Sequence, residues 1–279
     1  MVQVNGELQG IPLKGHHPFK GNSPEAVKQF LSDMRLYNGG TVVLPQYKLA
    51  FCSIPKAGCT TTKWMGAHLA TNQSQYSICK SNNISPLLNN NRIDRASIPE
   101  IFMSPNWTSV GFIRDPWTRA ISAYEDQVKR RHVPYVIGSR NDFLKFTERN
   151  EGWGKHTGHL VDHCGHSHVR YDHYVDIEHL SSDLRAALRG KPEVLARLET
   201  GWERCTRNKS PSLIDSESDS GHTAHASTEE SLRDKIIRLD RTYCNETTAK
   251  AVAVRYKADY KFIEKAGFRS YESPHICLN

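Results

Sequence analysis

The chain of 279 residues is long enough for one large domain with a substantial core, and a single main domain is the simplest reading. Its 37 Lys and Arg against 30 Asp and Glu give a net charge of +7, which favours acidic partners such as polyanionic glycans, nucleotides or nucleic acid without choosing among them. No stretch approaches the roughly 18 apolar residues of a membrane span, Met1 to Gly10 lacks a signal-peptide hydrophobic region, and the chain as given reads as soluble.

Residues 1–45, rich in Gly, Pro and polar residues, read as an N-terminal arm carrying one short helix from Pro24 to Leu36. Residues 47–54 read as a buried strand and Thr60 to Ala70 as the helix after it, the first half of a β-α-β unit. Between them lies Pro55-Lys56-Ala57-Gly58-Cys59-Thr60-Thr61-Thr62-Lys63. A glycine turn, hydroxyl side chains and two lysines at a helix N-terminus read as a cradle for an anion, because backbone N–H groups and cations converge there. In the nucleotide-triphosphatase loop G-x-x-x-x-G-K-[ST] the lysine follows the second glycine. Here Lys56 precedes the glycine, which argues against an ordinary ATPase and makes a nucleotide kinase remote.

Thr71 to Pro99 reads as a long loop able to shape an acceptor site. Thr108 to Ile113 reads as a second strand ending at Arg114-Asp115-Pro116, with Pro116 suited to the first turn of a helix. In the helix predicted from Trp117 to Arg131, Trp117, Ile121, Tyr124 and Val128 share one face, while Arg119, Asp126, Lys129 and Arg130 fall on the other. A helix from Asn141 to Arg149, a short strand from Tyr174 to Ile177 and helices at Ser182–Leu188 and Pro192–Leu198 follow. Residues 206–230, polar and serine-rich, read as a mobile insertion. Glu246 to Ala266 reads as a C-terminal helix packed on the sheet. Alternating strands and helices indicate an α/β fold with a mainly parallel sheet, spanning 46–279 as one domain.

The seven cysteines include no C-x-x-C pair, so a zinc ribbon is disfavoured and disulfides stay open. Sequons begin at Asn72, Asn83, Asn106, Asn208 and Asn245, and they are either chance or glycan acceptors of a secreted chain.

The cradle and the segment Phe112-Ile113-Arg114-Asp115-Pro116-Trp117-Thr118-Arg119-Ala120-Ile121-Ser122-Ala123-Tyr124 together resemble the two cofactor signatures of Golgi carbohydrate sulfotransferases. The likeness is to the chondroitin/dermatan 4-O and HNK-1 type, enzymes that use 3'-phosphoadenosine-5'-phosphosulfate (PAPS). It continues at Tyr171 to Leu180 and at Tyr256 to Phe262. PAPS carries a 5'-phosphosulfate and a 3'-phosphate that cannot share one cradle, so two anion sites are needed. The resemblance implies a P-loop-like sulfotransferase fold. It places Lys56, Ala57, Gly58, Cys59, Thr60, Thr61, Thr62 and Lys63 around the 5'-phosphosulfate, with Lys56 near the bridging oxygen. Arg114 and Ser122 are placed at the 3'-phosphate, where a guanidinium fork suits phosphate oxygens. It further implies a glycan acceptor, acidic glycans included, no nucleic-acid partner and no metal. The Golgi lumen is the implied location, reached in relatives through an N-terminal anchor that this chain lacks.

The transfer needs a base for the acceptor hydroxyl. Relatives carry a His-Trp pair eight residues before a cysteine; counting back from Cys164 reaches His156, with Thr157 in place of the tryptophan. His156 is the first candidate for the catalytic base and His159 the second, with Glu125 and Asp126 as carboxylate alternatives that suit salt bridges equally well. The altered tryptophan position keeps open a glycan- or nucleotide-binding protein without turnover. The cluster His156, His159, His163, Cys164, His166, His168 and His173 invites a metal reading, but its spacing matches no closed zinc pattern.

Overall fold

Two short apolar runs open the sheet. Thr41–Leu44 (β1) pairs antiparallel with Leu49–Cys52 (β2), Val42 opposite Phe51, across a tight turn over Pro45–Tyr47 closed by Lys48 in the left-handed region. Thr108–Ile113 (β3) and His173–Asp176 (β4) add in parallel, giving the order β1-β2-β3-β4. The computed structural model describes residues 23–33, 41–52, 54–70, 98–149, 157–206, 238 and 241–268. The helices are Pro24–Asp33 (α1), Cys59–Ala70 (α2), Ile98–Met103 (α3), Pro116–Lys129 (α4) and Arg140–Arg149 (α5). Leu180–Ala187 (α6), Pro192–Thr206 (α7), Glu246–Arg255 (α8) and Lys257–Lys265 (α9) complete the set among the described residues.

Apart from the first residues of β1, β3 and β4 the strands are buried on both faces, which is why Leu49–Cys52 is apolar throughout. Alternation sends Phe51, Val110, Phe112 and Val175 to one side, against Trp64, Met65 and Leu69 of α2 and Leu184, Val194 and Leu198 of α6 and α7. Ala50, Cys52, Ile113 and Tyr174 face the other side, with Phe102, Tyr171 and Ile263. Each fully buried Phe or Leu contributes about 1.5–3 kcal/mol relative to exposure. The apolar face expected on α4 packs as a third cluster, Trp117, Ile121 and Tyr124 against Phe143, Phe146, Tyr243 and Tyr256.

Several sequence expectations change. Thr41–Leu44, placed in the arm, is a sheet strand whose pairing partner lies beyond a turn that local composition marks as loop. Residues 1–22 and 34–40 of that arm, most of the 71–99 loop and nearly all of the 206–230 insertion lie outside the described residues. Helix α3 begins inside the predicted loop, and α7 runs on to Thr206. The single C-terminal helix breaks in two at Tyr256, whose φ of −98° and ψ of 24° depart from helical values. The Tyr256 ring is buried and its hydroxyl donates to Thr157 O at 3.2 Å, so tertiary packing turns the chain where periodicity alone runs on. Asn245 caps α8 in a reciprocal capping box with Thr248.

A disulfide joins Cys52, at the end of β2, to Cys164, a sequence separation of 112. Cross-linking so long a loop constrains the unfolded chain. Replacing both cysteines by serine should lower stability by about 2–5 kcal/mol in urea titrations, and an unchanged midpoint would refute that contribution.

Candidate active site

Strands β2, β3 and β4 are parallel, so their carboxyl ends open on one edge, where ligands of α/β sheets bind. After β2 the chain turns sharply: Ala57 N–H donates to Ile54 O at 3.1 Å, and Lys56 and Gly58 take positive φ values of 65° and 73°. A lysine in that region is uncommon and costs backbone energy. Gly58 cannot be replaced without strain, because an added Cβ would run into the side chain of Ile177, just beyond β4. Helix α2 then starts at Cys59, and the N–H groups of Cys59, Thr60 and Thr61 have no carbonyl one turn earlier within the helix. Thr60 is exposed and Thr61 and Lys63 are half-buried.

Two residues of the expected cradle serve otherwise. Thr62 is buried, and both its N–H and its hydroxyl donate to Gly58 O, at 2.9 and 3.1 Å, so it closes the first helical turn. The Ala57 N–H is committed to Ile54 O, and its methyl lies in the core. Neither presents a donor to an anion.

The turn is held from behind by two arginines. Arg114, at the end of β3, donates from Nη1 to Lys56 O at 3.2 Å, and Arg119 of α4 donates from Nε to Pro55 O at 3.2 Å. With two successive carbonyls drawn to cations, the turn is fixed as a unit. Arg119 was expected on the polar face; its side chain is 1% exposed and faces Asp259 of α9, Nη1 to Oδ2 at 3.6 Å. Burial lowers the Arg119 pKa and Asp259 opposes the shift; burial likewise raises the Asp259 pKa against the pull of Arg119. Arg114 Nε lies 3.7 Å from Glu178 Oε1, which also accepts from the Thr118 hydroxyl at 2.7 Å. Burial raises the pKa of Glu178.

Helix α4 starts at an Asp115 cap, whose Oδ1 accepts from Thr118 N–H at 2.9 Å, with Pro116 in the first turn. Thr118, Ser122 and Asp126 recur at four-residue spacing and therefore share one face. Thr118 meets Glu178, and Asp126 Oδ2 pairs with Lys56 Nζ at 2.9 Å and Arg130 Nε at 3.0 Å. The half-buried Ser122 lies between these contacts along the helix. Burial disfavours the Asp126 carboxylate, but hydrogen bonds from Lys56 and Arg130 outweigh it and hold the pKa below the usual range.

His156 lies outside the described residues. His159, its side chain 39% exposed, has Nδ1 3.8 Å from Asp259 Oδ1 and its ring edge against Tyr256. His166 is a core residue: it packs on Tyr171, Tyr174 and Phe262, with Nε2 3.5 Å from Cys52 Sγ, and burial pushes its pKa down to about 3. Among the described residues no group of His, Cys, Asp and Glu is arranged to hold a metal ion. Glu125 and Asp126 are engaged in ion pairs, and Glu125 also accepts from the Tyr243 hydroxyl at 3.2 Å. Arg119, Glu178 and Asp259 went unassigned from sequence. The available signal was an arginine five positions after Arg114, one turn into an apolar helix.

The family model described as "Sulfotransferase family" matches residues 40–263, well over half of the chain, and covers the turn, Arg114, Arg119, His159 and Asp259; the chain belongs to that family. Its mixed α/β architecture with a mainly parallel sheet is consistent with the sulfotransferase fold. No curated protein and no solved structure matches it.

Burial raises the Asp115 pKa from 3.8 to about 7. A raised carboxyl pKa means that stability is fully present below the unfolded value and is lost as pH rises through the folded one. Asp115→Asn, which keeps a capping oxygen, should therefore melt progressively higher relative to the wild type between pH 5 and 8. Parallel melting curves across that range would sink the assignment.

Proposed function

We propose that this sulfotransferase moves the sulfuryl group of PAPS onto a hydroxyl of a carbohydrate acceptor. The observation that carries the reading is the arginine-braced turn at Pro55-Lys56, which sets a lysine beside the N-terminus of α2 at the open edge of a parallel sheet. The residues present fit a doubly anionic donor. Gly58 makes a close approach that a side chain would block, and Arg114 Nε is buried without a hydrogen-bond partner beside the turn.

When bound, PAPS supplies a sulfuryl group joined to phosphate through an oxygen. In the proposed arrangement Lys56, Lys63 and the N–H groups of Cys59, Thr60 and Thr61 neutralise the 5' anion, with Lys56 supporting charge at that oxygen as it leaves. Arg114 and Ser122 hold the 3'-phosphate; Arg114 has Nη1 on Lys56 O and Nε 3.7 Å from Glu178 Oε1, without a hydrogen-bond partner. His156 or His159 takes the acceptor proton, and His159 is the one set against Asp259. Positioning and charge neutralisation carry most of such a transfer, as they do for phosphoryl groups. The carbohydrate acceptor rests on the resemblance of the two motifs, and the net charge of +7 suits an acidic one. The disulfide at Cys52–Cys164 supports an oxidising compartment, in keeping with the Golgi lumen.

With labelled PAPS and a glycan panel, wild-type protein should label at least one glycan. Lys56→Ala should lose about 10²–10³-fold in kcat, the scale for removing one donor to a developing charge. Absence of transfer together with absence of binding to the desulfonated cofactor would overturn the reading. Binding without transfer would instead identify a non-catalytic member.

Asn106 is exposed in the turn before β3, whereas the Asn245 side chain caps α8. Expressed in a secretory host, the protein should lose one glycosidase-sensitive mass increment on Asn106→Gln and none on Asn245→Gln. A protein resistant to the glycosidase would contradict the luminal assignment.

A further inference from the structure

We infer that Asp259 is a positioning residue that ties the two halves of the proposed reaction together, setting the donor turn through Arg119 and the base through His159. This rests on the sulfotransferase reading above. Its two oxygens face in different directions. Oδ2 lies 3.6 Å from Arg119 Nη1, and Arg119 Nε in turn holds Pro55 O at 3.2 Å, one residue before Lys56. Oδ1 accepts from Val161 N–H at 3.2 Å and lies 3.8 Å from His159 Nδ1. One carboxylate on α9 thus stands between the turn after β2 and the segment that carries His159.

The same helical corner fixes that segment elsewhere. The Tyr256 hydroxyl donates to Thr157 O at 3.2 Å, and Arg255 Nη2 donates to the same oxygen at 3.4 Å. The groups that face the His159 ring are Asp259 and Tyr256, with Arg119 of α4 behind Asp259. At 3.6 and 3.8 Å the two pairings are electrostatic rather than direct hydrogen bonds. A carboxylate opposite Nδ1 favours the tautomer protonated there, leaving Nε2 as the base.

Stability gives little reason for such a pair. Arg119 and Asp259 are 1% and 0% exposed, and desolvating two charges cancels most of what their mutual attraction returns. What apolar residues could not do is hold Pro55 O and face Nδ1. In the step served, His159 Nε2 removes the acceptor hydroxyl proton as the acceptor oxygen–sulfur bond forms. The bond from sulfur to the bridging oxygen breaks with its electron pair staying on the phosphate. The proton then passes from His159 to solvent.

The discriminating variant is the apolar double replacement Arg119→Met with Asp259→Leu, which leaves neither charge buried alone. Four readouts apply: thermal melting, calorimetric affinity for the desulfonated cofactor, the imidazole tautomer of His159 from its nitrogen chemical shifts, and kcat. We expect a folded protein whose affinity for the desulfonated cofactor falls about tenfold or more, whose Nδ1–H tautomer is no longer dominant, and whose kcat falls about 10²-fold, the scale of a misplaced reactive group. A double variant that keeps its affinity within about twofold and its Nδ1–H signal overturns the proposal. Should that variant fail to fold, Asp259→Asn decides: a His159 Nδ1–H tautomer that is no longer dominant supports the proposal, and an unchanged Nδ1–H signal overturns it. A wild type that binds the desulfonated cofactor but transfers nothing would count against the function above, while affinity and tautomer would still test Asp259.

Discussion

Two successive carbonyls, Pro55 O and Lys56 O, are each held by a buried or half-buried arginine, and the remainder of the site depends on that constraint. A turn with a lysine at φ 65° does not hold itself, since an L-residue there is strained. Arg119 and Arg114 supply the missing restraint, and each needs an acid to remain in place. Asp259 from the C-terminal helix serves the first and Glu178 beyond β4 the second. The turn after β2, the end of β3 and the C-terminal helix are therefore coupled through charge as well as through packing.

The sheet makes this coupling possible. Because β2, β3 and β4 run parallel, the residues after each of them emerge on the same edge: Lys56 and Gly58 after β2, Arg114 after β3, Ile177 and Glu178 after β4. Close packing sets how near they come, as the Ile177 side chain leaves room only for hydrogen at Gly58. The face of α4 carrying Thr118, Ser122 and Asp126 then runs beside the turn, its ends fixed by Glu178 and Lys56. Buried ion pairs of this kind add little net stability, and their worth lies in the geometry they impose.

Much of this was legible in the linear chain because it is local. The strand, glycine turn and helix from Leu49 to Ala70 announce themselves by an apolar run, a glycine and a run of threonines. Arg114-Asp115-Pro116 marks a strand end and a capped helix in the same way, and the apolar face of α4 falls where its periodicity puts it. Less visible were features made by partners far apart in sequence. The strand Thr41–Leu44 is defined by its pairing with β2, and the break at Tyr256 follows from a hydroxyl reaching Thr157, 99 residues away. Thr62 and Ala57 looked like ligands because their types suit the task, yet their hydrogen bonds turn inward.

The sequence by itself determined the local frame: a lysine before a glycine at a helix start, and an arginine at a strand end before a proline-led helix, follow from residue type and short-range spacing, and the resemblance carried by these two segments pointed to the sulfotransferase family. Tertiary structure alone decided which cations face the turn's carbonyls, which acids hold those cations, and that Cys52 joins Cys164. Arg119 illustrates the difference. Helical spacing assigns it to the polar face, and only the arrival of α9, 140 residues later, supplies the carboxylate that lets a guanidinium stay buried.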